Sequence, residues 1–230
     1  MSLYPTVGRK TFASEIAMRK EFYDTRTLPP DTNSSIEQVA TELCNAPFEI
    51  QPHQAFVRNF LSAATPYSGL LLYHGLGTGK TCTAITVAEE DRALNSQLGQ
   101  KKRAIIVASP NVQTNIRLQL FDPSKLKLED GLWQLDSCTG DAYLREINPM
   151  NLKGLSRSKV IQLVNKHVDA NYVFFGYIEF ANYIQRKSSL PEGATKAQKN
   201  AVSLKLNKQF GGRLLIIDEV HNIRISDDNQ

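Results

Sequence analysis

The chain has 230 residues, 27 Lys and Arg against 23 Asp and Glu, a net charge of +4 and a 41% hydrophobic content. That length can bury one sizeable core, so one α/β domain with an N-terminal extension is expected. No apolar run reaches membrane-spanning length and no signal peptide is evident, so no membrane partner is expected. Cys44, Cys82 and Cys138 are odd in number and share no metal-ligand spacing, which predicts free thiols in a reducing, cytoplasmic setting.

In chain order, Phe12, Ile16 and Phe22 lie near one face of a short helix expected over 12–23. Residues 27–34 hold Pro29-Pro30-Asp31 and read as a linker. Ser34 and Glu37 form a capping-box pattern that opens a helix toward Cys44. A helical extension with its linker thus covers 1–44, and the main domain covers 45–230. A helix over 53–62 would bury Phe56, Phe60 and Leu61.

Gly69 to Tyr73 is a short apolar run, long enough for a buried strand. It leads into His74-Gly75-Leu76-Gly77-Thr78-Gly79-Lys80-Thr81-Cys82, with glycine at every second position from 75 to 79. Glycine permits positive φ and close backbone approach, so successive N–H groups can face one anion. Lys80 can reach terminal phosphates and the Thr81 hydroxyl suits a magnesium ion. The stretch 80–97 has helical spacing, with its positive N-terminal end toward the phosphates. The usual form of this loop starts with Gly or Ala, and here His74 stands at that position.

Further strands are expected near 104–108, 133–138, 172–176 and 213–217, with helices over 111–121, 156–168, 177–186 and 195–209. Strands alternating with helices predict a mostly parallel, doubly wound sheet. Leu214 to Ile217 drive Asp218 and Glu219 to the carboxyl end of a strand, where ligands sit in open α/β sheets. Asp218 is the candidate magnesium ligand, and Glu219 the candidate base that orients or deprotonates an attacking water.

Asn111 after Pro110 stands where a helix can begin, as an ordinary N-cap or as a phosphate contact. From Arg186 to Arg213 there are seven cations and one acid, a local charge of +6. That strip, with Lys196, Lys199, Lys205 and Lys208, could lie along a phosphate backbone. It also reads as a solvated helix with Val202, Leu206 and Phe210 turned inward.

The glycine loop with Asp218-Glu219-Val220-His221 resembles the superfamily 2 helicases and translocases of the DEAH/DEVH type. Three further segments fit in order. Phe48 to Gln54 looks like the adenine-recognising segment, with Gln54 as reader and Phe48 packing on the base. Ala104 to Asn111 looks like the strand-to-helix turn that touches nucleic acid through Pro110 and Asn111. Tyr172 to Phe180 looks like the motif before the acidic strand, with Tyr177 as a backbone contact. The Leu-Leu-Tyr-His lead-in to the loop is similar to the nucleoside triphosphatases and early-transcription-factor helicases of large cytoplasmic DNA viruses.

The resemblance implies the first RecA-like lobe of an ATP- and magnesium-dependent ATPase serving viral transcription or genome handling, in host cytoplasm or virion. Its residues would be Lys80, Asp218, Glu219 and His221 for hydrolysis, and 75–82 with Gln54 and Phe48 for nucleotide. It implies nucleic acid as partner, DNA in preference to RNA, and viral transcription proteins. It also implies a second RecA-like lobe in the same full-length chain, bringing an arginine finger, so that this stretch alone turns over negligibly. The alternative is a nucleotide-binding interaction module without turnover of its own. In such lobes a later strand lies between the phosphate-loop strand and the acidic strand, and nine residues after His221 cannot supply it. Leu70–Tyr73 and Leu214–Ile217 are therefore expected not to pair in the usual way, within a longer polypeptide.

Overall fold

A computed structural model describes residues 3–27, 35, 37, 41, 49–75, 77–149 and 154–223. The helices are α1 (Phe12–Ala17), α2 (Lys20–Tyr23), α3 (Pro52–Phe60), α4 (Lys80–Gln97), α5 (Pro110–Leu120), α6 (Ala142–Ile147), α7 (Arg157–Asn171), α8 (Tyr177–Ser188) and α9 (Lys196–Phe210). The strands are β1 (Ala104–Val107), β2 (Leu126–Glu129), β3 (Leu132–Leu135), β4 (Tyr172–Phe175) and β5 (Leu215–Ile217). The expected linker and the Ser34-to-Cys44 helix fall largely outside the described residues, as do Phe48 and Leu76. The chain forms two compact units, Met1–Asp91 with Asp122–Lys153, and Arg92–Phe121 with Gly154–Gln230.

In the first unit the helix expected over 12–23 is broken, because Arg19 is extended (φ −76°, ψ 140°) and starts α2 afresh. Ile16, Phe22, Phe60 and Tyr67 are buried together. The rings of Phe60 and Tyr67 stack at 4.4 Å, and Phe12 meets Tyr67 edge-on at 5.6 Å. Tyr67 donates to the Pro5 carbonyl at 2.7 Å, so this buried hydroxyl is satisfied.

Two further sequence expectations fail in this unit. Residues 70–73 form no strand, and Leu71 (71%) and Tyr73 (95%) are exposed. An apolar run becomes a strand only where neighbours accept its N–H and C=O groups, and no described residue ladders with it. The strand expected at 133–138 does not join the parallel sheet. Residues 132–135 instead pair antiparallel with 126–129 as a hairpin, Leu126 opposite Leu135. Asp130 (φ 49°) and Gly131 (φ 76°) make its turn. Two successive positive φ values are what a tight hairpin turn requires, and Asp-Gly supplies them.

The second unit holds a parallel sheet in the order β4-β1-β5. Alternation along β1 divides its side chains between two faces. Ile105 and Val107 lie with Val173, Phe175, Ile217, Phe180, Tyr183 and Phe210, so α8 and α9 cover one face. Ile106 shares its register with Phe174 and Ile216 on the other face. There the Arg117 guanidinium of α5 lies 4.1 Å from the Phe174 ring centre and pairs with Asp169 of α7 at 2.9 Å. Helices on both faces make this a small α/β unit with a parallel sheet. On α9, Val202, Leu206 and Phe210 are half-buried while Lys196, Lys199, Lys205 and Lys208 are exposed.

Candidate functional site

In the first unit the glycine loop runs directly into α4, whose first residue is Lys80. Gly77 (φ 79°) and Gly79 (φ 75°) both occupy the left-handed region. A Cβ on Gly79 would stand 2.6 Å from Gln54 Nε2, whereas a Cβ on Gly75 or Gly77 would meet nothing within 4 Å. The loop is therefore backed by α3 at one glycine and open at the other two.

The loop closes on itself. Lys80 Nζ donates to the carbonyls of His74 and Gly75, both at 3.0 Å. Thr78 Oγ1 donates to the Gly75 carbonyl at 3.0 Å. From α3, His53 Nε2 meets the Thr78 carbonyl at 2.9 Å and Gln54 Nε2 donates to the Gly79 carbonyl at 3.3 Å. Gln54 Oε1 accepts from Gln51 N–H at 3.0 Å. Gln54 is 3% exposed, so its amide joins the start of α3 to the phosphate loop. The sequence points to no role for His53; its place on α3 beside Gln54 is the signal that ties it to the loop.

Cys82, in the first turn of α4, is disulfide-bonded to Cys138. This corrects the expectation of free thiols for these two; Cys44 lies outside the described residues. The pairing is not legible in the sequence, because the partners stand 56 residues apart and meet only when the segment after β3 reaches α4.

The second unit carries its own group of candidate residues. Asp218 N–H donates to the Val107 carbonyl at 3.0 Å, extending the β1–β5 ladder by one residue. Ala108 N–H likewise donates to the Phe175 carbonyl at 3.0 Å. The carboxyl ends of the three strands thus bring together Pro110 and Asn111, Tyr177, and Asp218 to His221. Ser109 is the extended residue before α5, with Pro110 in the first turn, where its missing N–H is no loss. Tyr177 Oη donates to the Asp218 carbonyl at 2.9 Å. Glu219 has positive φ (46°), an uncommon conformation for a side-chain-bearing residue, and its carboxylate lies 3.3 Å from His221 Nδ1. Asn222 N–H donates back to the Glu219 carbonyl at 2.9 Å, closing the turn. The α9 lysines are each exposed within this unit. Among the described residues no cluster of three or more His, Cys, Asp or Glu could hold a metal ion, and no helix is long and apolar enough to cross a membrane.

No protein-family model and no solved structure matches the chain. Curated sequences do. A protein of Acanthamoeba polyphaga mimivirus named "Putative ATP-dependent RNA helicase" is 29% identical over 181 residues, covering 76% of this chain and 25% of the relative. A helicase-named protein of Invertebrate iridescent virus 3 is 27% identical, covering 79% of this chain and 16% of the relative. An "Early transcription factor large subunit homolog" of African swine fever virus is 24% identical, covering 96% of this chain and 25% of the relative. The chain spans a quarter or less of the length of these relatives. Its resemblance is therefore to helicase-like viral proteins, among them transcription factor homologs.

Proposed function

We propose that this chain is the ATP-binding, first RecA-like lobe of a viral nucleic-acid-dependent ATPase of the helicase or translocase type, linked to transcription. The observation that carries this reading is the loop at 75–81: two left-handed glycines, an open side, and a lysine and threonine opening a helix. An ammonium, a hydroxyl and helix N-terminal N–H groups form the donor set that phosphate oxygens require. Lys80 already holds two carbonyl oxygens at 3.0 Å, the kind of acceptor a phosphate would replace.

The residues present fit a nucleoside triphosphate with magnesium. Lys80 and residues 75–82 would hold phosphates; Thr81 of the first unit and Asp218 of the second are each candidate ligands for the ion, which supplies charge neutralisation when bound. Glu219 would take a proton from water, with His221 beside it. Gln54 would read adenine against Phe48, since its amide offers both a donor and an acceptor. Those groups now bond Gly79 and Gln51, so reading a base means exchanging both bonds. Nucleic acid would be the partner, DNA before RNA, through Pro110, Asn111, Tyr177 and the α9 lysines. A second lobe would supply the arginine finger, worth about 10³–10⁵ in rate, so this lobe alone should turn over negligibly. The setting would be host cytoplasm or virion.

A displacement titration tests the reading. A bound fluorescent adenine nucleotide should be displaced by ATP at lower concentration than by GTP, and Thr81→Ala should abolish the magnesium dependence. Binding with no base preference and no magnesium dependence would overturn it.

A further inference from the structure

Cys82 is the third residue of α4, one after Thr81 and two after Lys80. It is bonded to Cys138 with a Cα–Cα separation of 5.4 Å, well inside the span of a protein disulfide. Both cysteines are half-buried and so open in part to small reagents. The segment that presents Cys138 is built firmly. Ser137 Oγ and Thr139 Oγ1 are 2.8 Å apart, Gly140 N–H donates to the Ser137 carbonyl at 2.9 Å, and Asp141 Oδ1 accepts from Leu135 N–H at 2.8 Å.

A second anchor holds the same segment to the same helix. Tyr143, fully buried, donates to Glu89 Oε1 at 2.7 Å. Glu89 lies about two helical turns beyond Cys82. Opening the disulfide therefore leaves the segment tied to α4 through Tyr143 and removes its covalent tie to the first turn, the turn that carries Lys80 and Thr81.

We propose that Cys82 and Cys138 are a redox-modified pair that sets the nucleotide affinity of the loop. The disulfide holds α4's first turn in the self-capped state, with Lys80 on the carbonyls of His74 and Gly75, and reduction raises affinity. The proposal rests on the nucleotide reading above. Oxidation runs by exchange with a low-molecular-weight disulfide. One cysteine thiolate attacks a reagent sulfur, the reagent S–S bond breaks, and one thiol leaves with a proton. The second cysteine, losing its proton, attacks the mixed disulfide and expels the second thiol. The protein loses two electrons and the reagent gains them. In a reducing compartment the pair stands as dithiol, the high-affinity form.

The test uses the unmodified chain, equilibrated with glutathione disulfide or with dithiothreitol. Alkylation and mass measurement should find two fewer free thiols in the oxidised form. Without nucleotide, backbone hydrogen exchange over 79–83 should be at least about fivefold faster in the reduced form, and MgATP should bind it at least about fivefold more tightly, the lower range of typical coupling. In dithiothreitol, Cys138→Ser should match the reduced parent in both measurements. Equal thiol counts, equal exchange, or equal or tighter binding by the oxidised form would overturn the proposal. If neither form binds nucleotide while exchange differs as expected, the nucleotide reading falls and with it the gating of affinity.

Discussion

Replacing Gly79 by alanine perturbs the loop at its tightest point. The residue sits at φ 75°, a conformation that costs a side-chain-bearing residue about 1–2 kcal/mol. The new Cβ would also stand 2.6 Å from Gln54 Nε2. That amide is the far end of a flexible side chain, so it can swing away, but doing so gives up its bond to the Gly79 carbonyl, worth about 0.5–1.5 kcal/mol net. Together Gly79→Ala should destabilise the first unit by about 1.5–3.5 kcal/mol. In a Gln54→Ala background the obstacle and the bond are already gone, so only the backbone cost of about 1–2 kcal/mol remains. Urea denaturation of the four proteins of this cycle, with exchange of the loop amides as a local probe, measures both quantities. A cost for Gly79→Ala below about 0.5 kcal/mol, or the same cost in both backgrounds, would refute the packing of α3 against the loop.

Tyr177→Phe removes the donor to the Asp218 carbonyl and should cost about 1 kcal/mol in denaturant titrations without altering any nucleic-acid salt dependence. An unchanged midpoint would contradict the role of that bond. Replacing Lys196, Lys199, Lys205 and Lys208 by Ser, each exposed on α9, should leave stability unchanged. It should also flatten the plot of log K against log salt by about 0.7–0.9 for each phosphate no longer neutralised, for DNA and RNA ligands alike. Unchanged affinity would leave α9 as a solvated helix only. The Tyr4 hydroxyl, 2.7 Å from Glu21, holds that carboxyl below its usual range. A carboxylate depressed in the folded state contributes stability above its unfolded pKa and loses it as pH falls through the lower folded value. Urea midpoints should therefore fall as pH drops below the unfolded glutamate pKa and through the lower folded value, less steeply in Tyr4→Phe, and parallel profiles would contradict this.

Much of the architecture is legible because its signals are local. The start of α4 at Lys80, the strands at 104–107, 172–175 and 215–217, and the inward face of α9 follow from glycine, capping and periodicity cues. In the second unit β5 pairs with β1, and in the first unit 70–73 form no strand. The departures are non-local. The apolar run at 70–73 has strand composition, yet strand formation depends on ladder partners that the run itself does not specify. At 126–135 the Asp130-Gly131 turn signals a hairpin, whereas apolar patterning alone places its second strand in the parallel sheet; the turn decides the pairing. At the candidate site, the glycines, Lys80 and the acidic strand end declare themselves, while the engagement of His53 and Gln54 with loop carbonyls and the Cys82–Cys138 bridge depend on the folded arrangement of distant segments.

The central claim is that the loop at 75–81 binds a nucleoside triphosphate through Lys80. Calorimetric titration of MgATP into the reduced parent chain and into Lys80→Ala, with circular dichroism to show that both are folded, tests it most directly. The account predicts a saturable heat for one nucleotide per chain in the parent and none in the variant. Equal affinity in the two folded proteins, or no binding by the parent, would contradict it.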